Sequence, residues 1–318
     1  MVGLESAEAH MNGAILTGDA LAMLRTLPDK SVQCCVTSPP YWGLRDYGIA
    51  GQIGLEASPS DYVAALAPVF EEVRRVLWDD GTLWLNLGDS YIGYHGNKNA
   101  SGSAPSDKPG YRENMRETTV GADGLKNKDL AGIPWRVAFA LQDAGWYLRC
   151  DCVWAKSNPL PESVKDRPTR AHEYIFLLSK GTRYYYDHEA VREPAVGATP
   201  HNLTGGGYAP AGQSPRRGRY GESPCRTDAT RARRSVWTLP TKSFPGAHFA
   251  TFPPNLIRPC ILAGSPVGGV VLDPFFGTGT TGVVCVETGR CYIGIELNPN
   301  YAAMASRRIE AAMRQGTE

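Results

Sequence analysis

Apolar positions along this chain recur with two different periods, and the switches between them mark out elements. The segment "GAILTGDALAMLRTLPDKSVQCCVTSPP" opens with a β-like run over residues 14–16 and turns at Gly18-Asp19, where Asp19 is placed as a helix N-cap. A short helix over 20–27 and a strand over 31–36 follow, a βαβ unit of a parallel sheet. Helical periodicity resumes in "SPSDYVAALAPVFEEVRRVLWDDG", with a cap expected at Ser60, and "GTLWLNLGD" then reads as a buried strand. "GIPWRVAFALQDAG" is a helix and "WYLRCDCVWAK" a strand, while "AHEYIFLLSKG" and "RYYYD" read as two strands meeting at Lys180-Gly181. The last fifty residues repeat the βαβα order: a strand over 270–273, a glycine-rich loop, a helix stopped by Gly289, a strand over 291–296 and a final helix.

Two stretches interrupt this pattern. Residues 94–129 are almost free of aliphatic side chains, and residues from about 194 to 234 are rich in Gly, Pro, Ser and Arg. Neither can bury a core, so each reads as a long loop or insertion. With 318 residues, 42% apolar and 20% charged, the remainder holds ample material for one large domain. A formal charge of +1 leaves any nucleic-acid partner to be read from local charge. No apolar run reaches the length of a membrane span and the first residues lack the features of a signal peptide, so a soluble, cytoplasmic protein without a membrane partner is expected. Eight cysteines occur without a C-x-x-C pair, most of them in apolar or strand-like stretches, so they are expected to be buried and no metal is expected.

Chemistry concentrates at two places. Gly277, Gly279 and Gly282 form G-x-G-x-x-G between a strand and a helix, and Glu296 ends the next strand, which suits a ligand carrying a nucleoside. Asp273 precedes the loop, and a negative charge aimed into the pocket would oppose a pyrophosphate and favour a cationic, amine-bearing ligand. The loop lacks the Lys-Ser/Thr of a P-loop. Only about twenty residues follow Glu296, too few to complete a sheet. The N-terminal strand would therefore lie next, bringing Asp19 to the same edge, and the strand ending in Ser38-Pro39-Pro40-Tyr41 would lie beside the glycine-rich loop. The chain would be circularly permuted.

"TSPPY" (37–41), "DPFFGTGTTG" (273–282) and "IGIELNPNY" (293–301), in this order, resemble the DNA amino-methyltransferases of the β group. "FPPNLI" (252–257) is similar to that family's segment contacting the methionine end of the cofactor, and "GDA" (18–20) to the segment contacting adenine. The resemblance implies an α/β, Rossmann-like class I methyltransferase fold, circularly permuted, mostly parallel, with an inserted target-recognition region. Its catalytic half would be 1–193 (including the 94–129 loop), the target-recognition insertion 194–235, and the cofactor half 236–318. It implies S-adenosyl-L-methionine held by Asp19, Thr37, Asn255, Asp273, Pro274, Phe275, Gly277, Gly279, Thr280, Glu296 and Asn298.

The acceptor implied is an exocyclic amino group, poorly nucleophilic because its lone pair is conjugated into the ring. Ser38 Oγ and the Pro39 carbonyl, stiffened by Pro39 and Pro40, would hold its N–H groups, and Tyr41 would stack on the flipped base. Trp42 is expected to support the loop. The Pro-Cys pair at Pro259-Cys260 lies in a helical stretch and is read as structural. In the resembled family Ser-Pro-Pro-Tyr associates more with cytosine N4 than adenine N6, and that ordering is kept here. Arg216, Arg217, Arg219, Arg231, Arg233 and Arg234 are the candidate contacts to double-stranded DNA. His172-Glu173 is read as strand-end hydrogen bonding and set outside the catalytic residues. The resemblance admits a cognate restriction endonuclease and a homodimer as partners, and a bacterial, archaeal or phage origin. Two rivals stay open: an RNA or small-molecule methyltransferase on this fold, and a nucleic-acid-binding protein that has lost catalysis.

Overall fold

The computed structural model describes residues 13–44, 46–93, 121–195, 230–241 and 252–315. Eight strands form one sheet: β1 (Gly13–Thr17), β2 (Val32–Thr37), β3 (Leu77–Leu87), β4 (Tyr147–Lys156), β5 (His172–Ser179), β8 (Val236–Leu239), β9 (Val270–Asp273) and β10 (Cys291–Glu296). A separate short pair joins β6 (Glu193–Pro194) to β7 (Thr230–Arg231). The sheet order is β1-β10-β9-β2-β3-β5-β4-β8. Only the two pairings made by β5 are antiparallel; the other five are parallel. The N-terminal strand thus lies beside the last one, as the permuted reading requires, with Gly13 to Thr17 in register with Tyr292 to Glu296.

Helices cover both faces, as a sheet buried on both sides demands. On one face α1 (Ala20–Leu24), α2 (Pro59–Val76) and α3 (Ile133–Asp143) contribute Leu24, Phe70, Val73 and Val137 to a core that includes Leu83 and Leu85 of β3. On the other, α4 (Pro254–Gly264), α5 (Thr280–Glu287) and α6 (Pro299–Gln315) contribute Ile257, Cys260, Val284 and Ile309 around Val36 and Val271. Cys260 is fully buried there, in keeping with its structural reading. Among the described residues no helix is long and apolar enough to cross a membrane.

Three local expectations need correction. The cap of α2 is Ser58, whose hydroxyl accepts from the Asp61 amide at 3.1 Å, because Pro59 then occupies the first helical position where its missing N–H costs nothing. The short helix α1 stops at Leu24. "RYYYD" is not a strand: β5 already has β3 on one edge and β4 on the other, leaving no edge to pair with. Tyr185 and Asp187 instead donate their amides to the carbonyls of Asp80 and Ala263, both at 2.9 Å. Strand β8, at the edge beside β4, has no counterpart in the sequence reading.

Candidate active site

In an open α/β sheet the connections leave in opposite directions at one point, and the crevice beyond the strand ends there receives ligands. Here that point is between β9 and β2. The two strands pair only at Cys34–Val271 and Cys35–Leu272, so their ends are free to carry functional segments. After β9 comes the glycine-rich loop, and after β2 comes Ser38-Pro39-Pro40-Tyr41. Both border a cavity of about 840 Å³, within the range of small-molecule sites.

One end of the cavity belongs to β1, β10 and the β9 loop. Glu296 ends β10, and its two oxygens accept from the amides of Gly277 and Asn298, each at 2.7 Å. Burial raises its pKa above the ordinary carboxylate range. Asp19 caps α1 by accepting from the Ala22 amide at 2.9 Å while lining the cavity. Gly277 and Gly279 have φ of 53° and 75°, and a Cβ on Gly279 would lie 2.7 Å from that of Ala305 on α6. Asn298 bends the chain into α6 by accepting from the Asn300 amide at 2.9 Å. Arg308 ties the loop down by donating to the Thr278 hydroxyl at 2.6 Å.

The other end is built by β2, β3, β4 and β5. Tyr41 Oη donates to Glu173 Oε2 at 2.7 Å, with Asn86 Oδ1 at 3.1 Å, and Ser38 Oγ donates to Tyr41 Oη at 3.3 Å. Asn86 Nδ2 donates to Glu173 Oε2 at 3.2 Å and to the Tyr174 carbonyl at 3.0 Å. Lys156 forms an ion pair with Glu173 Oε1. The Tyr41 ring lies against Gly88, where a Cβ would come within 2.4 Å of its Cε2. Burial and the neighbouring Glu173 carboxylate push the Tyr41 hydroxyl pKa well up, so it stays a proton donor. Trp42 is buried and donates its indole N–H to the Glu56 carbonyl at 3.0 Å, the supporting role expected of it. Tyr62 donates to the Pro40 carbonyl at 2.8 Å, which anchors the proline pair to α2.

Of the residues expected to form the site, Ser38, Pro39, Pro40, Tyr41, Asp19, Pro274, Phe275, Gly277, Thr280, Glu296 and Asn298 line this cavity. Asp273 and Thr37 do not. Asp273 is buried, with Oδ1 accepting from Thr37 Oγ1 at 2.6 Å and the Phe275 amide at 3.1 Å, and Oδ2 from Thr281 Oγ1 at 2.7 Å. Its carboxyl therefore clamps β9 to β2 and α5 rather than offering a charge to a ligand, and burial raises its pKa to about 6. Gly279 starts α5 behind the loop. Asn255 is exposed on the first turn of α4; Phe252, just before that helix, reaches the cavity instead.

The arginines also differ from expectation. Arg216, Arg217 and Arg219 lie outside the described residues. Arg231 and Arg234 both donate to Glu193 Oε1, at 2.8 and 2.9 Å, and Arg233 lies over the Trp237 ring at 4.8 Å. A carboxylate and an aromatic face within reach hold these three on the protein itself. Conversely, Glu173, set aside in the sequence, is central to the site with Asn86 and Lys156. Asn86 left a trace, as the lone polar residue inside "LWLNL".

The carboxylates Asp19 and Glu296 and the apolar Phe275 and Ile295 suit a nucleoside with a cationic tail, and the Ser38 end suits a polar acceptor. Sheet order, permuted connections and the two segments meeting at one crevice define a Rossmann-like class I methyltransferase. The family model described as DNA methylase matches residues 32–307, and the chain belongs to that family, the S-adenosylmethionine-dependent enzymes that methylate DNA amino groups. It is 52% identical over 306 residues to the Type II methyltransferase M.Cfr9I of Citrobacter freundii, covering 96% of this chain and 90% of that relative. It is 50% identical over 310 residues to the Type II methyltransferase M.SmaI of Serratia marcescens, covering 96% and 94%. Among solved structures, the PvuII DNA methyltransferase (cytosine-N4-specific) superposes with a TM-score of 0.63 at 20% identity, covering 96% of this chain and 92% of that one. A putative DNA modification methylase of Thermus thermophilus, complexed with S-adenosyl-L-methionine, gives 0.59 at 24% identity over 95% and 96%. These two likenesses bear on the fold.

Proposed function

We propose that the enzyme methylates the N4 amino group of a cytosine flipped out of duplex DNA at a specific recognition sequence. The observation that carries this reading is Ser38, which stands on the rim of the cavity at the end of β2 with its hydroxyl in the Tyr41–Glu173 network. Ser-Pro-Pro-Tyr at this place is the form the resembled family associates with cytosine N4, and the PvuII enzyme of the same fold is named as cytosine-N4-specific.

S-Adenosylmethionine supplies a methyl group on a sulfonium. Glu296 and Asp19 would hold its ribose and adenosine end, and Phe275, Pro274, Gly277, Thr280 and Asn298 would wall the rest. Ser38 Oγ and the Pro39 carbonyl accept the amino N–H groups, drawing the nitrogen lone pair out of conjugation and toward the methyl carbon. No covalent enzyme–base bond is needed. The Tyr41 ring offers a face for the base, and stacking of this kind contributes about 1–3 kcal/mol. Residues 194–235, with Arg216, Arg217 and Arg219, form the target-recognition insertion between the two halves, 1–193 and 236–318. The Type II relatives support a cytoplasmic bacterial modification enzyme with a cognate restriction endonuclease; a homodimer is the remaining partner to test.

The test is methylation of a plasmid by the purified enzyme, followed by nucleoside mass spectrometry and modified-base sequencing. N4-methylcytosine at one sequence context, abolished by Ser38→Ala, is expected. N6-methyladenine would overturn the base assignment, and methylation of RNA but not DNA would overturn the substrate.

A further inference from the structure

Ser38 carries one proton and two lone pairs, so its usefulness to an amino group depends on which way the proton points. Toward an amino N–H it must act as acceptor; with its proton turned into the cavity it would meet that N–H donor to donor. The residues around it decide the matter. Glu173 is acceptor-only as a carboxylate, and three donors converge on it: Lys156 on Oε1, and Tyr41 and Asn86 on Oε2. The Glu173 and Lys156 side chains are 13% and 21% exposed, so the pair is largely shielded and the carboxylate remains paired. Asn86 cannot reverse its amide, because its Nδ2 faces two acceptors, Glu173 Oε2 and the Tyr174 carbonyl.

Tyr41 has a single hydroxyl proton, and the nearest acceptor is the charged one at 2.7 Å, with Asn86 Oδ1 at 3.1 Å as its second. With that proton committed, Tyr41 Oη can only accept from Ser38, whose Oγ lies 3.3 Å away. We propose that Lys156, Glu173 and Tyr41 form a directional hydrogen-bond chain that fixes Ser38 as an acceptor, so that its lone pairs face the amino group of the target base. Glu173 is then a positioning residue that acts through Tyr41 without touching the reacting atoms, and it sets the enzyme's preference for an amino-bearing edge over a carbonyl. The inference rests on the methyl-transfer reading of this cavity.

Glu173→Gln keeps shape but can keep only one oxygen, and Lys156 takes it. The amide NH₂ then faces Tyr41 and Asn86 Nδ2 together. This donor–donor contact turns the Asn86 amide over, so Tyr41 loses Asn86 Oδ1 as well as the carboxylate, accepts from both NH₂ groups and donates to Ser38, whose proton is driven into the cavity. Glu173→Gln is expected to lower kcat roughly 10- to 100-fold. The KM for S-adenosylmethionine should change little. In Tyr41→Phe the chain is cut and Ser38 is free to adopt either sense, so the loss is smaller, roughly up to 10-fold. The distinguishing result is the double variant: Glu173→Gln with Tyr41→Phe should be faster than Glu173→Gln alone, because the misdirected proton is gone. Losses that add, or a Glu173→Gln enzyme at the wild-type rate, would overturn the chain. Neutron diffraction of the unliganded enzyme is independent of turnover, with deuterium expected between Ser38 Oγ and Tyr41 Oη. Deuterium on Ser38 directed into the cavity overturns the inference, whereas a wild-type enzyme that methylates no DNA overturns the functional reading beneath it.

Discussion

Asp273 is the residue whose behaviour tests the packing at the centre of this fold most directly. It is fully buried, and its pKa is raised from 3.8 to about 6: loss of solvation on burial outweighs the hydrogen bonds from Thr37, Thr281 and the Phe275 amide. Between these two values the folded chain holds a proton that the unfolded chain has released, so stability falls as pH rises through that window. The favourable contribution is fully present below pH 3.8 and gone once the pH passes the folded value of about 6. A shift of about two units corresponds to about 3 kcal/mol. Asp273→Asn cannot ionise. Its amide still accepts from the Phe275 N–H and Thr37 and donates to Thr281 after a hydroxyl rotation. Urea denaturation of both proteins at intervals from pH 4 to pH 8 should show the variant gaining about 2.5 kcal/mol relative to the wild type across the range, since part of the loss has occurred by pH 4. Taking the difference matters because burial also raises the pKa of Asp89, which titrates in both proteins. A difference that stays flat with pH, or that shrinks as pH rises, would refute the reasoning.

Gly88→Ala should damage the site: its Cβ would sit 2.4 Å from Tyr41 Cε2 and displace that ring, so methylation should drop at least about 10-fold in a turnover assay. Gly279→Ala should do the reverse in emphasis, costing about 1–3 kcal/mol in denaturant titration through its φ of 75° and the 2.7 Å approach to Ala305 Cβ. Cys260→Ala should retain methylation within about twofold and lose about 1 kcal/mol, since Cys260 is buried in α4 and takes no part in a covalent step. A large activity loss there, at unchanged stability, would contradict the assignment of amino chemistry.

The order of elements was legible because each strand and helix carries its own period. The permuted arrangement was legible in the order of the motifs, with 37–41 ahead of 273–282. Ser38 to Tyr41 and the 273–282 loop were legible because their chemistry is contiguous. Expectations failed where a residue's role depends on what packs against it. Asp273 reads as a charge at a strand end, yet its acceptors are filled by Thr37, 236 positions away, and by Thr281. Arg231 and Arg234 read as free cations until β6 brings Glu193 to them.

The sequence by itself determined the fold class, the family and the two segments that meet at the crevice, because backbone period and contiguous motifs are local properties. Only the tertiary structure decided which side chains face that crevice. Glu173 and Tyr41 are 132 positions apart, and their 2.7 Å hydrogen bond exists because β5 pairs antiparallel beside β3, which no local pattern in either segment encodes.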